Sequence, residues 1–192
     1  AATFDVIQEA WVNGLLSNPK THLVNITSNL AVAFGQIMER GAAAKVGQIY
    51  GRDAGGVAPG EAMAMAFGVV SSLKDAFRLS WKALKTGEHL GLHGKVEIGR
   101  EPAITSDWLR GKGQDGLATT VDYLGAAFRV PGRLLGAEDQ FFKTIGYRAE
   151  VYAQALRQAR NEGLQGEAMG YRMAELINAP PENIRLAAAD QA

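Results

Sequence analysis

The chain has no cysteine among its 192 residues. A disulfide framework, a thiolate metal site and a cysteine nucleophile are therefore excluded. It has no net charge either: twenty Lys and Arg balance twenty Asp and Glu. No overall field draws it to nucleic acid, which leaves only a local patch for that role. No stretch reaches the roughly 20 predominantly apolar residues that span a bilayer, and no basic-then-apolar segment reads as a signal peptide. The sequence begins Ala1-Ala2-Thr3 without an initiator methionine, so we expect a processed chain or a fragment of a longer protein. Hydrophobic residues make up 47% and charged residues 21%, ordinary for a folded chain with a core of its own.

What is present is helical periodicity. Phe4, Ile7, Trp11 and Leu15 lie at helical spacing, which predicts a short amphipathic helix over residues 4–15. Asn18 can cap the next helix and Pro19 suits its first turn. From Thr21 to Met38 there is no formal charge, and His22 alone can titrate. Such a helix needs cover from its own domain, from a partner helix or from a membrane. Leu23, Ile26, Leu30, Phe34 and Ile37 form its stripe. It should continue through 42–49, against the weakening effect of Gly41 and Gly47.

After a glycine-rich loop at 51–60, a long helix is predicted over about 60–86. Its first half, Ala62–Val70, reads as buried on most sides. In its second half Val69, Leu73, Phe77, Trp81 and Leu84 should face inward, opposite Lys74, Arg78, Lys82 and Lys85. Glycine recurs through 87–116 and Lys95–Ile98 alternates in polarity, so an irregular excursion or a small β-hairpin is expected there. A helix over 117–129 should stop at Pro131-Gly132. Another, over 133–161, should turn Phe142, Ile145, Ala149, Tyr152 and Leu156 inward and end at Gly163. Shorter helices follow over 167–177 and 182–189. The expected class is all-α: a bundle of about six to seven helices in a single domain, 1–192, with lobes 1–86 and 117–192 joined by the glycine-rich stretch.

Catalytic equipment is sparse. Gly111, Gly113 and Gly116 satisfy G-x-G-x-x-G before a helix, but a dinucleotide turn needs a preceding buried strand, and Ser106–Arg110 forms none. Gly55 and Gly60 have P-loop spacing, yet Glu61-Ala62 replaces the required Lys and Ser/Thr. His89 and His93 are four apart beside Glu88 and Glu97, without a convincing helix or a third ligand, so loop histidines are the favoured reading. Glu138, Asp139, Lys143, Arg148 and Glu150 share one helix. Neighbouring residues there point about 100° apart, which disfavours an acid/base pair and favours surface pairing or an interhelical bridge. Trp11, Phe34, Phe77, Trp81, Phe141, Phe142 and Tyr152 read as core, with one of Phe141-Phe142 meeting a second helix or subunit.

The best site-like pattern is the series Lys74, Arg78, Lys82 and Lys85, whose spacings of four, four and three place the cations on one helix face. The stripe suits phosphates or an acidic lipid surface; its plainer reading is a solvated face.

Three stretches carry a resemblance: Leu15–Asn25, Leu84–Gly87, and Glu138–Lys143 with Tyr147–Glu150. Together they resemble a helical region of the very large internal, ejection-associated virion proteins of tailed bacteriophages. The resemblance spans most of 11–160. It implies a structural part of a virion, located in the particle or the host cytoplasm, without catalysis in this segment. The reading is therefore a non-enzymatic helical assembly or DNA-delivery module with no cofactor, metal or small-molecule substrate. Its partners would be other helical segments or copies of itself, with anionic lipid or DNA contact at the basic stripe. The alternatives are a membrane-active amphipathic protein using 21–38 and 60–86, and an all-α enzyme with its site near 87–116, using His89, His93 or Glu138.

Overall fold

The computed structural model describes residues 2–50, 57–87, 106, 110–113 and 115–191. The described residues are almost wholly helical: α1 (Ala2–Leu16), α2 (Pro19–Tyr50), α3 (Glu61–Thr86), α4 (Asp115–Asn161), α5 (Gly166–Asn178) and α6 (Glu182–Gln191). Among them there is no strand. Most of the stretch expected as a hairpin near 87–116 lies outside the described residues, as do His89 and His93. The part described includes a turn at 110–113, closed by the Gly113 N–H on the Arg110 carbonyl at 3.0 Å. Among the described residues no helix is long and apolar enough to cross a membrane.

Local chemistry explains the helix ends. The Asn18 side chain accepts the Lys20 N–H at 3.0 Å, capping α2 with Pro19 in its first turn. Gly60 turns with φ of 90°, conformational space that suits glycine, and leads the chain into α3. At the far end of α4, Gly163 has φ of 76°. Its N–H reaches Arg160 and that of Leu164 reaches Ala159, a Schellman stop.

As expected, α2 continues through Gly41 and Gly47. Elsewhere the structure corrects the sequence: Pro131 sits inside a continuous α4 instead of ending a helix there. Proline removes one backbone hydrogen bond, and α4 has 47 residues over which packing can hold it. Next to Pro131, a Cβ on Gly132 would lie 3.0 Å from the Asn13 side-chain oxygen of α1, so α1 is packed against the point of weakness.

The chain forms two compact units, one from Ala1–Ile26 with Ser80–Asp139, the other from Thr27–Leu79 with Gln140–Ala192. In the second, α5 and α6 seat Leu176, Ile184 and Ala188 against Val151 and Ala155 of α4. A second cluster joins Met65 of α3 to Ala149 and Ala153 of α4, with Ile37 and Val69 against it. In the first unit the buried apolar side chains include Ala83, Ala118 and Ala137.

The choice of buried face overturns an expectation. In α3 the buried positions are Glu61, Met65, Gly68, Ser72, Ala76 and Ala83. Met63, Phe67, Val70, Leu73, Phe77 and Trp81 are exposed, so neither the burial expected for 62–70 nor the inward stripe of Leu73, Phe77 and Trp81 holds. In α2, likewise, Leu23, Leu30 and Phe34 are exposed, while Ala44 and Gly47 are buried. The reason is backbone approach: a Cβ on Gly68 would lie 2.7 Å from the Arg148 carbonyl oxygen, a spacing that admits small residues only. Trp11, Phe34, Phe77 and Trp81 are therefore not core. In α4, Ile145, Ala149 and Leu156 are buried as expected.

Candidate functional site

The most organised polar constellation is a buried ionic network in the second unit, built from one residue of α2, one of α3 and three of α4. Glu61 opens α3 and its side chain is wholly buried. Arg157 of α4 grips it through two bonds, Nε to Oε1 at 2.8 Å and Nη2 to Oε2 at 2.6 Å. Arg40 of α2 donates from Nη1 to Glu61 Oε2 at 3.0 Å and from Nη2 to both Glu150 oxygens at 2.9 Å. The Ala58 N–H reaches Glu61 Oε1 at 2.6 Å, and Gln154 reaches Glu150 at 2.6 Å.

Two carboxylates and two guanidiniums balance in charge. Burial pushes the Glu61 carboxyl up, but Arg157, the Ala58 N–H and Arg40 outweigh it and hold the group below the usual carboxylate range. The hydrogen bonds from Arg157 to Glu61 raise the arginine in turn. Glu61 accepts four hydrogen bonds, which fills the lone-pair sites of a carboxylate. It is an ionised anchor without spare capacity to take a substrate proton. A cavity of about 260 Å³ adjoins the network, with Gln36, Glu39, Arg40, Met65 and Glu150 among its lining. It is smaller than most small-molecule pockets.

In the first unit, Glu138 of α4 accepts from Asn25 at 2.7 Å and lies 2.8 Å from the Nδ1 of His22, both on α2. Of the two expectations for this cluster, surface pairing or an interhelical bridge, Glu138 takes the interhelical one, with His22 and Asn25 as its partners. Replacing Glu138 with alanine is expected to destabilise the fold by about 1 kcal/mol, since it removes the acceptor of both contacts. Thermal melting of the Glu138→Ala chain measures this.

Other sequence candidates fall as follows. Lys74, Arg78, Lys82 and Lys85 are all exposed on α3, and the Lys85 ammonium stands 5.2 Å from the Trp81 ring centroid. Phe141 meets Phe77 of α3 at 4.9 Å and Phe142 edge-on at 5.4 Å, so the Phe141-Phe142 pair does reach a second helix. Among the described residues no group of His, Asp and Glu is placed to hold a metal. Arg40, Glu61 and Arg157 were not legible as partners from sequence. The available signal was that Glu61 is the sole charge between Gly60 and Leu73, and a charge within an apolar run calls for a partner.

Comparison with known proteins gives no match to a family model, a curated protein or a solved structure.

Proposed function

We propose that this chain is a non-enzymatic helical assembly module, acting within a phage virion or DNA-delivery protein through copies of itself or other helical segments. The observation that carries the assembly reading is the outward display of bulky apolar side chains. Phe4, Ile7, Trp11 and Leu15 form one stripe along α1, each more than half exposed. Together they present on the order of 500 Å² of apolar surface, taking about 200 Å² for each side chain. A single contiguous patch of that size marks an interaction surface. The saturated Glu61 supports a structural use of the buried charges. The phage assignment rests on the resemblance of Leu15–Asn25, Leu84–Gly87 and 138–150, with the particle or the host cytoplasm as its location.

Sedimentation velocity tests the assembly reading. The chain is expected to associate as its concentration rises. A variant with Phe4, Ile7, Trp11 and Leu15 all changed to glutamine is expected to weaken that association at least tenfold while keeping its helical circular dichroism. A wild-type chain that remains monomeric at every concentration, or a variant that associates as the wild type does, contradicts it.

A further inference from the structure

We propose that the outer face of α3 docks on an anionic lipid surface, with the helix lying along the surface. Four observations on this one helix meet in that reading.

The first is the outward placement of large apolar residues. Met63, Phe67, Val70, Phe77 and Trp81 are 58% to 76% exposed. At 100° per residue they fall within an arc of about 80°. The second is the position of the cations. Lys74, Arg78, Lys82 and Lys85 occupy an adjoining arc, centred about 60° from the apolar one. Cations and aromatics thus share one solvent-facing surface, in contrast to the opposed faces that periodicity suggests. The Lys85 ammonium stands over the Trp81 ring, 5.2 Å from its centroid, so a cation and an aromatic face meet on this surface.

The third is what lies behind. The inward face of α3 carries Met65, Gly68, Ser72, Ala76 and Ala83, with Glu61 buried and paired. Apart from Met65, it holds small residues and a neutralised charge, with most of the bulky apolar residues outside, which resembles the way helices pack when lipid covers their outer faces. The fourth is length. No described helix can cross a bilayer, but α3, with 26 residues, extends about 39 Å and can lie in the headgroup plane.

Charge selects this occupant over others. A symmetric pairing with a second copy of α3 would set its four cations against four more. Duplex DNA would answer the cations but offers no apolar phase for Met63, Phe67 and Val70. An anionic bilayer surface answers both, with acyl chains for the apolar arc and phosphates for the cations.

The test is co-sedimentation of the full chain with vesicles of phosphatidylcholine alone and of phosphatidylcholine with phosphatidylglycerol, with duplex DNA as a separate ligand. Retention is expected only on the phosphatidylglycerol vesicles. A variant with Lys74, Arg78, Lys82 and Lys85 changed to glutamate should lose more than about a hundredfold in partitioning, at roughly fivefold for each cation removed. A second variant, with Met63, Val70 and Trp81 changed to glutamine, should lose at least tenfold. All seven residues are exposed, and circular dichroism should stay helical. No retention of the wild type, equal retention on both vesicle types, binding to DNA without binding to vesicles, or wild-type partitioning by either variant overturns the proposal. None of these results depends on whether the chain self-associates through α1, so the two readings stand or fall separately.

Discussion

Changing Glu61 to alanine is expected to destabilise the fold by about 3 kcal/mol, measured by urea unfolding at neutral pH. Removing one member of a buried ion pair leaves its partners charged and without compensation, a loss of about 3–5 kcal/mol. Here Arg157 would lose its carboxylate while Arg40 keeps Glu150, and the two keep 25% and 20% of their side chains in water. That residual hydration places the loss at the low end. The same residue sets a pH dependence. The Glu61 carboxyl is held below its ordinary value in the fold, so the unfolded chain takes up its proton first as pH falls. Its stabilisation is fully present above the ordinary glutamate value of about 4.3 and is withdrawn as pH drops through the lower folded value. The stability difference between wild type and Glu61→Gln should therefore be largest at neutral pH and shrink in acid. A difference that grows in acid would contradict the assignment.

The second large effect concerns Gly68, and its sign is the informative part. Within a helix, glycine to alanine ordinarily stabilises by about 1 kcal/mol. At Gly68 the added methyl would meet backbone atoms, 2.7 Å from the Arg148 oxygen and 2.9 Å from the Ala149 Cα. Backbone cannot move aside as a flexible side chain does, so α3 and α4 must separate, at a cost of about 1–3 kcal/mol. Gly170 of α5 provides the contrast, because a methyl there meets nothing within 4 Å. Thermal unfolding should show Gly68→Ala melting lower than wild type and Gly170→Ala melting higher. Two changes of the same sign would mean that α3 and α4 do not approach as closely as described.

Helix boundaries were the most legible part of the sequence, because they depend on local chemistry. Asn18-Pro19 and Gly163 act on their own backbone neighbours, and each works where its residue type implies. Pro131 misled for the opposite reason. Its local penalty is real, but it is one lost bond in a helix flanked by α1 at Gly132, and packing over many residues outweighs it. The buried faces were the least legible. A periodicity argument sends the bulkiest apolar residues inward, whereas helices that approach to the spacing seen at Gly68 accept only small residues between them. The ionic network was hidden for a related reason. Arg40, Glu61 and Arg157 are far apart in the chain, and only the pairing of α2, α3 and α4 brings them together. The basic series on α3 was visible because spacing alone places four residues on one helix face. Its neighbour, the exposed aromatic arc, was hidden until the buried side of the helix was known.

The account of how α2, α3 and α4 meet depends on close approach through small residues, and a disulfide between α2 and α3 tests that directly. A Cβ on Gly41 of α2 would lie 3.5 Å from the Cβ of Ala62 of α3, within the range of about 3.5–4.5 Å that a disulfide bridges. The chain has no cysteine of its own, so a double variant, Gly41→Cys with Ala62→Cys, carries a single possible intrachain pair. Under mild oxidation it is expected to form that bond nearly completely and to melt higher than its reduced form. A helical, folded variant whose thiols stay reduced would contradict the account.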